Sequence, residues 1–322
     1  MTAAAPPVPM PIVTLTMNPA IDVSTSVDCV TPDHKLRCAT PSYEPGGGGI
    51  NVARAIRKLG GDALALFPAG GPAGLLLSSL LKAEGVRELM VPIAGWTREN
   101  VNIGELMTRR QFRFVMPGPT LEESECRSIL HQLDILDPAP AYLVASGSLP
   151  PGVPVDFYAH LARWARSRGV RLALDASGEP LRRAVAEGVS ILKPSLREFE
   201  ELTGEEGCEE SRLPILARRL IDDRHCEVLI LSLGARGVFW MSASDSGRLL
   251  SPTVPVKSSV GAGDSMVAGL VMSLARGQLL PDAIRFGVAA GAASVMNPGT
   301  QLCRAEDVER LYEQVTVVPS AR

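Results

Sequence analysis

Several features are missing from this sequence, and each absence removes a class of function. There is no run of basic residues: 32 Lys and Arg are scattered among 35 Asp and Glu for a net charge of -3, so no nucleic-acid partner is expected. No apolar stretch approaches the ~18 residues that span a bilayer; the alanine-rich segment from Phe286 to Met296 is short and broken by glycines. Membrane insertion is therefore not expected either. No Lys or Arg precedes Lys35, so the Ala- and Pro-rich start, residues 1–11, lacks the basic region of a signal peptide and is expected to be a disordered tail on a cytoplasmic protein. Cys29, Cys38, Cys126, Cys208, Cys226 and Cys303 show no paired metal spacing, which suggests reduced thiols without a zinc site or disulfide framework.

What is present is the composition of a globular protein, 322 residues with 46% hydrophobic and 21% charged side chains. No internal repeat or interdomain linker is visible, so the whole chain is expected to form one domain. Short runs of strand character recur at residues 12–15, 63–67, 141–145, 171–175, 189–192 and 227–232, separated by segments of helical spacing. Ile50, Ala53, Ile56 and Leu59 make one apolar stripe, closed by Gly60 and Gly61; Met266, Val267, Leu270, Val271 and Leu274 make another, closed by Gly277. Strands alternating with helices imply an α/β fold, a doubly wound and mostly parallel sheet with helices on both faces. Two segments, about residues 20–45 and 97–117, break the alternation with period-two patterns such as Gln111 to Met116. They predict a small antiparallel sheet inserted at the ligand-binding edge, or ordinary surface hairpins.

The chemistry concentrates in two glycine runs. The later one, Val260 to Ser265 (VGAGDS), opens the second apolar helix. Unpaired N–H groups and the helix dipole favour an anion there, and glycine lets it approach the backbone. Asp264 would repel that anion, but suits a general base taking a proton from an attacking hydroxyl; read from this short motif alone, it could equally be an N-cap. The earlier run, Glu44 to Ala53 (EPGGGGINVA), opens the first helix. Four glycines carry an entropic cost that packing alone rarely demands, so close approach of backbone to a ligand is expected, with Asn51 offering donor and acceptor to hydroxyls; a flexible loop is the alternative. Neither run is a Walker A loop or a dinucleotide fingerprint.

With both runs present, the chain resembles the ribokinase-like, or PfkB-family, sugar kinases from about Ile12 to Leu311. The segments Lys35 to Arg37, Trp96 to Arg98, Arg113 to Gly118 and Ser146 to Gly152 (SGSLPPG) add to the resemblance and are most similar to its 6-phosphofructokinase branch. Kinases of fructose 1-phosphate typically carry Lys where this chain has Gly48. The resemblance implies that Asp22, Gly46, Gly47 and Asn51 hold the sugar hydroxyls, that Arg98 and Arg113 meet its phosphate with Lys35 adding charge from the lid, and that Ser148 is a further substrate contact. It implies Asp264 as base and an anion hole from Gly261, Ala262 and Gly263. On the ATP side it implies Lys193, Ser195, Ser232, Gly234, Gly237, Ser258 and Val260, with Glu198 holding Mg²⁺ through water. The family's Asn-x-x-Glu motif begins here with Ser195. Ser258, Val260, Asn297 and Gly299 resemble a monovalent-cation (K⁺) site, although Gln301 replaces a basic residue there.

The expected reaction is in-line transfer from ATP to the C1 hydroxyl of fructose 6-phosphate by a homodimer joined through the lid. Tagatose 6-phosphate or fructose 1-phosphate is the alternative acceptor. A non-catalytic phosphosugar-binding protein would not need Asp264, and a dehydrogenase would need the absent fingerprint.

Overall fold

The computed structural model describes residues 11–318; the expected N-terminal tail lies almost entirely outside them. Among the described residues fourteen strands form two sheets. The large sheet contains β1 (Ile12–Leu15), β4 (Leu64–Ala69), β5 (Arg87–Pro92), β8 (Tyr142–Ser146), β9 (Arg171–Asp175), β10 (Val189–Leu192), β11 (Cys226–Ser232), β12 (Val238–Ser242), β13 (Ser246–Leu250) and β14 (Thr316–Val318). Its order is β14-β13-β12-β11-β10-β9-β8-β1-β4-β5. From β5 to β11 all pairs are parallel, and the last three strands add an antiparallel edge.

Successive strand residues serve opposite faces, as the pleat requires. On β8, Tyr142 and Val144 enter one core, while Leu143 and Ala145 enter the other. The first core is covered by α1 (Gly48–Lys58), α2 (Gly71–Ala83), α8 (Ala262–Ala275), α9 (Leu280–Val295) and α10 (Ala305–Tyr312); the second by α3 (Glu123–Asp134), α4 (Phe157–Arg168), α5 (Gly178–Glu187), α6 (Leu196–Thr203) and α7 (Leu213–Asp222). Burial on both faces explains why these strands read as near-continuous apolar runs.

The chain leaves β1 on one side to reach β4 and β5 and returns on its other side to β8, so β1 and β8 flank the point where strand order reverses. In such sheets ligands bind outside the carboxyl ends of the strands at that point.

The two period-two segments form the second sheet, ordered β3-β2-β6-β7: β2 (Ala20–Val27), β3 (Ser42–Gly46), β6 (Arg98–Glu105) and β7 (Gln111–Phe114). Its outer pairs are antiparallel, as expected, but the central pair, β2 with β6, is parallel from Ala20 against Arg98 to Val27 against Glu105. Each insertion folds as its own hairpin, and the two dock side by side.

Candidate active site

Both glycine runs end at the mouth between β1 and β8. Gly47 precedes α1 with φ at +113° and has no side chain to cap it, so Thr16, just past β1, accepts the Ile50 N–H at 2.7 Å. Gly261 precedes α8 in the left-handed region, and no side chain caps this helix. Asp264 lies inside its first turn and is therefore not the N-cap. Its Oδ2 accepts from Asn51 Nδ2 at 3.0 Å and its Oδ1 from Ser146 Oγ at 3.4 Å. Burial, reinforced by Asp175, pushes Asp264 up to about 6, against the pull of Asn51, Lys193 and Ser146. A carboxylate held by two donors with a raised pKa, at a helix start lacking a cap, can accept a proton near neutral pH.

Lys193, just past β10, sits 3.2 Å from Asp175 at the end of β9, and both are largely buried. Burial opposes its charge, but Asp175, Glu198 and Asp264 keep it an ammonium. A carbon added to Gly263 would lie 3.7 Å from Lys193 Nζ, so the lysine faces the start of α8. Ser195 caps α6: its Oγ accepts the Glu198 N–H at 3.3 Å, and Glu198 Oε2 accepts the Ser195 N–H at 2.8 Å. Ser195 also bridges in parallel to Ser232, whose hydroxyl bonds Pro194 O at 3.2 Å. Next to them a cavity of about 480 Å³ is lined by Ser232, Gly234, Gly237, Val254, Gly263 and Val295 among others, mostly apolar. A flat aromatic group attached to a phosphate chain ending at α8 suits this arrangement.

On the other side of Asp264 lies the lid sheet. Asp22 accepts from Asn100 Nδ2 at 2.9 Å; burial lifts it above the ordinary carboxylate range, offset by Asn100, Arg113, Arg98 and Arg54. Gly46 packs directly on it: a Cβ there would lie 2.6 Å from Asp22 Oδ2. Arg98 donates Nη1 to Met116 O at 2.8 Å and Nη2 to Asn18 O at 2.9 Å, leaving its buried Nε without a partner. Arg113 is exposed on β7. Asn18 Nδ2 bonds Ser148 Oγ at 3.2 Å. Lys35 lies in the exposed loop between β2 and β3 and makes no hydrogen bond or ion pair among the described residues.

Ser258 is buried and its hydroxyl accepts the Val260 N–H at 3.2 Å. Asn297 spends its amide on Ala293 O and Leu302 O, and Gly299 turns with φ at +60°. Glu44 accepts the Thr300 N–H at 3.3 Å and its hydroxyl, tying the lid to this loop.

The structure thus brings Asp264, Asn51, Lys193 and Gly263 together, and Asp22, Gly46, Arg98 and Arg113 into a neighbouring group. It leaves Lys35 apart. Asn18, Arg54, Asn100 and Ser146 were not singled out by sequence reasoning. Asn18 and Ser146 stand at or just past the carboxyl ends of β1 and β8, a positional signal that could have found them; Arg54 and Asn100 carry no local signal.

Residues 10–307 match the pfkB family carbohydrate kinases. The ATP-dependent 6-phosphofructokinase isozyme 2 of Mycobacterium tuberculosis is 46% identical over 302 residues, covering 94% of this chain and 89% of the relative. Among solved structures, phosphofructokinase-2 from Escherichia coli in complex with potassium superposes with a TM-score of 0.90 at 40% identity, and the same protein in complex with fructose-6-phosphate with 0.89 at 38%; each comparison covers 95% of this chain and 99% of the other. The chain therefore belongs to the pfkB family of carbohydrate kinases.

Proposed function

We propose that the chain transfers the γ-phosphoryl group of ATP to the C1 hydroxyl of fructose 6-phosphate. The observation that carries the reading is Asp264, at the start of α8 between the apolar cavity and the lid sheet, bonded by Asn51 and Ser146 and raised to about 6. Asp264 accepts the proton of the attacking hydroxyl. The backbone N–H groups of Gly261, Ala262 and Gly263 take up charge on the transferring group, and Lys193 adds a fixed positive charge beside it. Ser232, Gly234 and Gly237 border the adenosine side, with Ser195 closing the base of that loop.

On the sugar side Asp22, Gly46, Gly47 and Asn51 orient the hydroxyls, with Ser148 beside them. Arg113 and the free Nε of Arg98 meet the 6-phosphate, and Lys35 adds charge when the lid closes. The relatives named for 6-phosphofructokinase activity support this acceptor.

The donor set fits a cation that keeps its waters: among the described residues no three His, Cys, Asp or Glu converge on one point, and Glu198 has only one oxygen engaged by its cap. Glu198 is the residue that would hold Mg²⁺ through water, and the ion would neutralise charge on the phosphates. A K⁺ site formed by Ser258, Val260, Asn297 and Gly299 belongs to the same reading, with oxygen atoms as its ligands; the two bonds that Asn297 donates from its amide nitrogen fix the orientation of that side chain. So does a homodimer through the lid, where Leu106, Met107 and Phe114 are 61%, 76% and 48% exposed.

A coupled ADP-release assay over fructose 6-phosphate, tagatose 6-phosphate, fructose 1-phosphate and unphosphorylated fructose tests the proposal. The highest kcat/KM is expected for fructose 6-phosphate; a preference for the unphosphorylated sugar overturns it.

A further inference from the structure

We propose that Arg54 is a positioning residue: it fixes the orientation of the Asn51 amide and, through it, the carboxylate of Asp264. The inference rests on the reading of Asp264 as the base, but on different atoms.

Arg54 lies in the middle of α1 and is 1% exposed. A buried guanidinium is stable only when paired and fully bonded, and an apolar side chain of similar volume would fill the same space without that demand. Arg54 is satisfied on every nitrogen. Nε and Nη2 bond both oxygens of Glu84, at 2.8 and 2.6 Å, in a two-pronged ion pair with the residue that ends α2. Glu84 is itself 30% exposed, so the pair is anchored from the surface inward. This fork aims Nη1 at Pro45 O, 2.8 Å away, and at Asn51 Oδ1, 3.4 Å away.

Asn51 and Arg54 are three residues apart on one helix face, so their side chains meet. The Asn51 amide is consequently read at both ends. Its oxygen faces a cation that can only donate, and its nitrogen donates to Asp264 Oδ2 at 3.0 Å. The flipped amide would set an acceptor against the carboxylate and a donor against the guanidinium. The row Glu84, Arg54, Asn51, Asp264 runs from the end of α2 across α1 to the first turn of α8. The other groups facing Asp264 are Asp175, Lys193 and Ser146, from β9, the loop after β10 and β8; none is hydrogen-bonded or ion-paired to Arg54, whose partners are Glu84, Pro45 and Asn51.

A purely structural Arg54, tying Pro45 to α2, would affect folding and leave the protonation of Asp264 alone. The test is therefore the titration of Asp264 in the free enzyme, followed by its ¹³C carboxyl shift and assigned by difference with Asp264→Asn, beside the acid limb of kcat/KM. It is read in the full-length chain, in Arg54→Lys and Glu84→Gln, each alone and combined with Asn51→Ala. Arg54→Lys keeps the charge but cannot reach Glu84 and Asn51 at once. It is expected to raise the Asp264 midpoint by about half a pH unit or more, because the donor that favours the charged form is no longer aimed. kcat falls about tenfold and the KM for ATP changes by less than about a factor of two. Glu84→Gln moves the midpoint in the same direction by less. In the Asn51→Ala background neither substitution shifts it further.

A folded Arg54→Lys protein with an unmoved midpoint overturns the inference, as does an equal shift in the Asn51→Ala background. If Arg54→Lys does not fold, Glu84→Gln decides alone. If the wild-type protein turns over no phosphorylated hexose, the kinase reading falls while the ¹³C titration still decides the role of Arg54.

Discussion

The two glycine runs open two helices at one cleft, yet they are glycine for different reasons. In the first run the obstacles are protein atoms. A Cβ would lie 2.6 Å from Asp22 Oδ2 at Gly46, 2.1 Å from Ser146 Oγ at Gly48 and 2.5 Å from Leu15 O at Gly49, and Gly47 has positive φ and meets Thr16. In the second, Gly261 serves a left-handed turn, Ala262 is tolerated, and a Cβ on Gly263 would make only ordinary contacts at 3.7 and 3.8 Å. Close packing is thus a reason for glycine in this run in addition to ligand approach: Gly48 and Gly49 start α1 directly against the backbone of β8 and β1. Gly263 is the position whose bareness the protein does not need.

The largest effect separates the acid from both runs. Asp264→Asn should lower kcat by about 10² or more. Because burial raises the Asp264 pKa from 3.8 to about 6, the folded state holds this proton more tightly than the unfolded chain. The charged form is a penalty fully present above pH 6 and relieved as pH falls from 6 toward 3.8. Asp264→Asn should therefore melt later than wild type at pH 7.5, by on the order of 1–3 kcal/mol, with the gain shrinking by pH 4.5. Wild-type kcat/KM should fall as pH drops below 6. An earlier melt at pH 7.5 would mean the carboxylate is not under strain.

Next comes Gly48→Ala, which should cost about 1–3 kcal/mol in urea unfolding from overpacking. Ser146→Ala should not rescue it, because the Ser146 carbonyl carbon remains 2.9 Å from the added methyl; full rescue would show the obstacle to be a hydroxyl alone. The same crowding leaves no room at position 48 for the lysine of the fructose 1-phosphate kinases unless Ser146 moves.

Gly263→Ala should reverse that pattern, with Tm within about 2 °C and kcat/KM for ATP lowered about tenfold through loss of close approach to the transferring group. Unimpaired turnover would remove the second run from the chemistry.

The arginines should split likewise. Arg113→Ala should raise only the KM for the phosphosugar, by roughly ten- to a hundredfold, as expected for a charge-assisted bond of about 1.5–3 kcal/mol. Arg98→Ala should also lower Tm, since its two nitrogens hold the Met116 and Asn18 carbonyls. Equal melting of the two variants would argue against that added role.

Smallest is Ser195→Asn, which exchanges one good helix cap for another. It should change stability by less than about 0.5 kcal/mol and leave ATP use at least as good. Glu198→Gln, by contrast, should be impaired across a free Mg²⁺ titration, and an unaffected enzyme would move the metal away from Glu198.

Much of the fold was legible because it is written locally. The expected strands at 171–175 and 189–192 coincide with β9 and β10, and the two apolar stripes lie in α1 and α8. The antiparallel strands β12 to β14 were not singled out; β13 and β14 are short and partly exposed, which leaves only a weak pattern in the sequence. In the lid, period-two alternation identified both hairpins but could not say that β2 and β6 would run parallel, because pairing between distant segments leaves no mark on either.

The sequence by itself determined the alternation of strands and helices, the two helix starts with unpaired N–H groups, and an acid at the start of the second. Periodicity and glycine conformation act over a few residues, and so can be read from a few residues. Only the tertiary structure decided that Asn51 and Ser146 hold Asp264, that Arg98 spends two nitrogens on carbonyls, and that Arg54 is buried behind Asn51. A hydrogen bond forms between whichever groups the packed helices and strands bring within reach, and a residue's neighbours in the chain do not specify those partners.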